Sequence, residues 1–172
     1  NANWKPDGRL ALSMAVNGTQ GTAYTTNLYA ILGSWTARFK YDIGDHSAPA
    51  ADFFTFTLQS ASPSSFEHGP QSAFAIMWRY FQDGSKNYLK MFTNGVEVME
   101  SYDTSPVNLP AGGTATMEIA HDPTAKTVTV ITSQAAGSYT NIISDLDLRA
   151  ALTGADSAYL GFGAATGGLN AE

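Results

Sequence analysis

The sequence predicts an all-β fold, an antiparallel sandwich. Apolar residues recur at every second position in successive strand-sized runs, and turn dipeptides or prolines separate these runs at a spacing of roughly 8–12 residues. Arg9–Val16 alternates Leu10, Leu12 and Met14 with small or polar residues and ends at Asn17-Gly18, a hairpin-type pair. Ser34–Ile43 sets Trp35, Ala37, Phe39 and Tyr41 on one face, with Thr36, Arg38, Lys40 and Asp42 on the other. The loop Gly44–Ala50, with Pro49, breaks that pattern. Asp52–Gln59 repeats it through Phe54, Phe56 and Leu58. After Pro63, Gly69 and Pro70, Ala73–Phe81 puts Phe74, Ile76, Trp78 and Tyr80 opposite Ala75, Met77, Arg79 and Phe81. Asp83-Gly84 and Asn94-Gly95 bracket Asn87–Thr93 and lead into Val96–Met99. Thr114–Ala120 and Thr127–Thr132 flank a turn at His121-Asp122-Pro123, where proline sets φ. Ser157–Ala165 is the last strand. A helical signal occurs once, at Asp147–Leu152, where Asp147 caps the turn and Gly154 ends it.

Repeats and low-complexity tracts are absent, so residues 1–172 read as a single domain. Its size allows a core without staples, and the lack of cysteine excludes disulfides and thiolate metal sites. The net charge of -6 argues against nucleic acid or an anionic membrane as partner, since both are bound through clustered Lys and Arg. No run approaches the ~18 unbroken apolar residues of a membrane-spanning helix. No basic segment followed by an apolar one stands at Asn1, so a signal peptide is expected to have been removed already. Charged residues make up only 14%, and the neutral polar surface this implies suits an exported protein that meets neutral ligands.

Three stretches, read in order, resemble the L-type (legume-lectin-like) family. Ala51-Asp52-Phe53-Phe54-Thr55-Phe56-Thr57-Leu58-Gln59 is similar to that family's A-D-G-[FI]-[AT]-F-x-[LI]-Q strand. Phe74–Gly95 resembles its V-A-V-E-[FL]-D-T strand, metal loop and N-H-[VI]-G-I-D-x-N-G return strand. Leu148-Arg149 and Tyr159–Gly168 resemble its closing strand and A-T-G-G loop. The resemblance implies a concanavalin-A-like jelly-roll sandwich with sugar bound in a shallow depression among the loops. Asp52 would accept hydrogen bonds from two sugar hydroxyls, a role suited to an ionised acceptor. Asn87 would donate another, an aromatic side chain would stack on the ring, and backbone N–H groups of Thr166, Gly167 and Gly168 would complete the site.

One departure from the family's pattern bears on cofactors. The family's metal-binding Glu and Asp correspond to Met77 and Arg79, and its metal-binding His to Tyr88. Calcium takes about six to eight oxygen ligands, and a thioether and a guanidinium supply none. No calcium or manganese, and no other cofactor, is therefore expected. Arg79 is expected to stand in for the lost cation by pairing with Asp52 through a charge-assisted hydrogen bond. The plain alternative is an Arg79 that snorkels over the sheet.

Other polar residues give weaker signals. Trp35 and Trp78 follow the inward alternation and read as core, Trp4 stays a stacking candidate, and Phe66, Tyr80, Phe81 and Tyr88 lie near turns where a sugar ring could stack. His46, His68 and His121 read as loop residues without zinc spacing, and Asp42, Asp45 and His46 as a solvated turn. Glu97 and Glu100, three apart on a strand, are expected to point to opposite faces. Asn17-Gly18-Thr19 fits the glycosylation sequon.

Catalysis is not expected. A glycosidase needs two carboxylates about 5–9.5 Å apart, and no strand carries an E-x-D-x-x-E spacing. A lyase needs Arg, His and Tyr together on the concave sheet; Arg79 and Tyr88 qualify, but no histidine is read on a strand. The expected function is metal-independent binding of glycan or polysaccharide by an exported protein, outside the cell or at its surface. The alternative is a structural or adhesive domain that contacts neighbouring protomers or other domains of a larger surface protein. Family members continue into a final strand, whereas this sequence stops at Asn170-Ala171-Glu172. The expectation is that the sequence is a truncated piece lacking that final strand, or that the vacant sheet edge is filled by another chain or left open.

Overall fold

A computed structural model describes residues 2–12, 18–43, 53–61, 73–79, 88–101, 103–109 and 113–166. The fold is an all-β jelly-roll sandwich. Its strands in chain order are β1 (Asn3–Trp4), β2 (Leu10–Ala11), β3 (Gln20–Tyr24), β4 (Tyr29–Ala30), β5 (Trp35–Ile43), β6 (Phe53–Gln59) and β7 (Ala73–Arg79). There follow β8 (Tyr88–Thr93), β9 (Val96–Ser101), β10 (Gly113–Asp122), β11 (Thr127–Gln134), β12 (Gly137–Ile143), helix α1 (Leu148–Ala151) and β13 (Ser157–Ala165). Seven strands form one sheet in the order β3-β13-β6-β7-β8-β9, with β4 also on β13. Four form the other, β12-β11-β10-β5, and β1 pairs with β2 apart from both. All the pairings are antiparallel.

The core lies where the alternating faces of the two sheets meet. Phe54, Phe56, Leu58, Phe74, Ile76, Trp78 and Leu89 point inward from the larger sheet, and Ala115, Met117, Ile119, Val128 and Val130 from the smaller. Phe39 of β5 packs its ring against Phe54, Phe56 and Phe162 at centroid distances of 5.7, 6.0 and 4.9 Å. Trp78 is core, as its alternation predicts, and its indole N–H crosses to the smaller sheet to donate to Thr132 Oγ1 at 3.0 Å. Trp35 packs half-buried against the core and donates to the Ile31 carbonyl. Trp4 stands exposed. Asp147 caps α1 by accepting the Ala150 N–H, and buried Leu146, Leu148, Ala151 and Leu152 seat the helix on the core.

Several sequence expectations need correction. Leu10–Ala11 is the described strand within the long run expected from residue 9 to 16, and residues 13–17 lie outside the described set. Strands β3 and β12 were not expected. The first has Gly21 where an apolar residue would mark a face, and its small size is required: a Cβ there would collide with the Leu12 carbonyl oxygen. The second, G-S-Y-T-N-I-I, is an edge strand whose polar residues blur the alternation. His121 lies on β10, not in a loop. It is buried on the inward face, its Nδ1 sits 3.0 Å from the Gly33 carbonyl, and its ring packs beside Trp35. A histidine is thus on a strand, but in the opposite sheet from Arg79 and Tyr88. Asp42 is a strand residue held by Arg9 at 2.6 Å and by the Thr114 hydroxyl, not a free turn carboxylate; Asp45 and His46 lie outside the described residues.

The Trp78–Thr132 hydrogen bond ties one sheet to the other. Replacing Thr132 by Val keeps the shape and strands a buried donor, so Thr132→Val should lower unfolding free energy by about 1–3 kcal/mol in urea titration. An unchanged midpoint would show that this contact carries no weight.

Candidate functional site

Register brings the site together. Ala165 lies opposite Phe53, Phe53 opposite Arg79, and Arg79 opposite Tyr88, so β13, β6, β7 and β8 share one transverse row. Gln20 of β3 extends the row on the far side of Ala165. In the chain, Asp52 immediately precedes Phe53, Asn87 precedes Tyr88, and Thr166 follows Ala165. Four separate segments that carry the expected site residues therefore reach the same end of the seven-stranded sheet. Asp52, Asn87, Gly167 and Gly168 themselves lie outside the described residues, as do Phe66, Tyr80 and Phe81. The Asp52–Arg79 pairing lies outside them for the same reason.

Arg79, Tyr88 and Phe53 share the sheet face that looks away from the main core. On that face Ala75, Met77 and Phe92 form a second apolar cluster, with Phe53 packed against it. Arg79 is half-buried at the end of β7, and Tyr88 is 5% exposed. Thr166 is buried and committed to its neighbour. Its N–H donates to the Thr19 carbonyl at 2.8 Å, and its hydroxyl accepts the Thr19 N–H at 2.9 Å. The backbone donor expected of Thr166 is thus already taken, and it ties the end of β13 to the segment that leads into β3.

Sequence reasoning missed a charged cluster on this face. Lys90, opposite Met77 and Glu100, is buried, and its ammonium reaches Glu100 at 2.6 Å and Glu97 at 3.0 Å. Both glutamates serve one lysine because the strand pairing shifts between Met91 and Phe92. Met91 pairs with Met99 and Phe92 with Glu97, which leaves Val98 as an extra residue. The bulge reverses the alternation, so Glu97 and Glu100 share a face and the expectation of opposite faces fails. Burial works against the charged lysine, but the hydrogen bonds it donates to Glu100 and Glu97 outweigh it, and the Lys90 pKa lies above its usual value.

No family model matches the chain, and no curated protein does. Solved structures do. Lectin I-B4 from Griffonia simplicifolia in its metal-free form superposes with a TM-score of 0.76 at 20% identity, covering 99% of this chain and 86% of that one. The winged bean acidic lectin complexed with methyl-α-D-galactose gives 0.75 at 21%, covering 98% and 83%. The legume lectin-like domain from Entamoeba histolytica gives 0.72 at 12%, covering 94% and 78%. This chain has the legume-lectin fold.

The L-type lectin resemblance aligns the family's metal ligands with Met77, Arg79 and Tyr88, and these do not fit a calcium ion. Met77 offers a thioether inside an apolar cluster, Arg79 a cation, and Tyr88 a buried phenol. Among the described residues, no group of three or more His, Cys, Asp or Glu comes together.

The Lys90 cluster makes a ranked prediction. Glu100 is closer to the ammonium and its side chain is 17% exposed against 39% for Glu97. Glu100→Gln should cost about 1–3 kcal/mol of stability and Glu97→Gln under about 1 kcal/mol. Because folding raises the Lys90 pKa above its ordinary 10.5, the contribution is complete at neutral pH and is lost as pH rises through the folded-state value. Denaturation of both variants at neutral pH and near pH ~11 checks the ranking and the sign.

Proposed function

We propose that this chain is a carbohydrate-binding module of an exported protein, that it acts outside the cell or at its surface, and that it binds glycan or polysaccharide without a metal ion and without catalysing a reaction. The observation that carries the reading is the transverse row Ala165–Phe53–Arg79–Tyr88, which draws together four segments flanked by Asp52, Asn87 and Thr166 on a legume-lectin fold. Structures of that fold include the winged bean lectin with methyl-α-D-galactose and the Bauhinia forficata lectin in complex with GalNAc. Asp52 accepts from sugar hydroxyls, and Asn87 and the N–H groups of Gly167 and Gly168 donate to the sugar. Thr166 holds the end of β13 to Thr19, while Arg79 and Tyr88 occupy the side where the family holds its ions. The non-complementary side chains at Met77 and Arg79 support metal independence.

A glycan array probed with and without chelator tests this. Binding that survives chelation and disappears in Asp52→Asn is expected. Loss on chelation would refute metal independence. Silence across neutral and acidic glycans would favour a structural or adhesive domain that contacts neighbouring protomers.

A further inference from the structure

We infer that the glycan taken at this site carries a carboxylate, and that Arg79 is the group that selects it; the inference rests on the sugar-binding reading above. The sequence has four arginines, Arg9, Arg38, Arg79 and Arg149. Three are matched by acids: Arg9 by Asp7 and Asp42 at 2.7 and 2.6 Å, Arg38 by Glu118 at 3.8 Å, and Arg149 by Asp156 at 2.9 Å. Those three are well exposed, their side chains 58%, 71% and 59% accessible, where a partner matters least. Arg79 is the more buried, yet among the described residues no carboxylate meets it. A partly desolvated guanidinium that meets no carboxylate among the described residues is a poised anion receptor, because its planar fork matches a carboxylate bidentately.

The surroundings narrow the ligand further. Phe53 and Tyr88 stand directly across from Arg79 on the two neighbouring strands, at the separation of about 4.5–5.5 Å between Cβ atoms at which cross-strand side chains touch. Aromatic neighbours on both sides lower the local polarity, which strengthens a charge-assisted hydrogen bond. Lys90 is unavailable to a ligand, since Glu97 and Glu100 already enclose it. That cluster holds two carboxylates against one ammonium, and the whole chain carries -6. A densely charged polyanion would be repelled, so the fit is to one carboxylate on a sugar ring: a uronic acid residue, or a sialic acid at a chain end.

Isothermal titration of the whole chain with methyl galacturonoside and with sialyllactose, each against its neutral counterpart (methyl galactoside and lactose), separates the two sources. At least one acidic sugar should bind about tenfold more tightly than its neutral partner, the size of a charged hydrogen bond. Arg79→Gln should bring that ratio close to one. Arg79→Lys, which keeps the charge and loses the fork, should fall between. Melting temperatures confirm that each variant is folded. Neutral sugars binding as tightly as acidic ones, or an acidic preference that persists in folded Arg79→Gln, would overturn the inference and leave the sugar-binding reading intact. Failure of all four sugars to bind would remove both.

Discussion

The pairing register of β6 between β13 and β7 is the constraint on which the rest of the molecule depends. A slip of one residue would turn Phe54, Phe56 and Leu58 outward and bring Phe53, Thr55 and Thr57 into the core. The same slip would move Arg79 away from Phe53 and dissolve the row that gathers the candidate site. Core and site thus draw on one set of hydrogen bonds. The aromatic layer that enforces the register, Phe39 against Phe54, Phe56 and Phe162, is also what holds the two sheets face to face.

Both faces of the larger sheet are used, for different purposes. The inward face is apolar along β6 and β7, and at its edge Ser101 of β9 hydrogen-bonds to Tyr139 of the opposite sheet. The outward face mixes an apolar patch at Ala75, Met77 and Phe92 with buried Thr55, Thr57 and Lys90. A buried lysine is tolerated there because a single extra residue, Val98, turns a second carboxylate toward it. The bulge shows how a one-residue irregularity at a sheet edge can decide the electrostatics of an entire face.

The likeness to legume lectins at 12–21% identity settles the architecture and leaves the chemistry to the side chains. The sandwich itself is stabilised by burial between the sheets, which many different side chains at the sheet end would leave intact. The chemistry at the sheet end is set by the side chains it carries, and at the end of β7 Arg79 presents a cationic one.

Sequence alone determined the fold class, the inward faces of β5, β6 and β7, the Asp147 cap and the bounds of β13. These follow from local periodicity and turn chemistry, which short-range sterics and burial impose on neighbouring residues. It could not reveal β3 or β12, whose faces are masked by Gly21 and by edge polarity, nor the burial of His121. Nor could it show that Glu97 and Glu100 meet on Lys90, or that the Thr166 N–H is already bound to Thr19. Those outcomes were decided by tertiary structure, because each depends on a partner strand distant in the chain, and one unpaired residue in a ladder changes which side chains face one another.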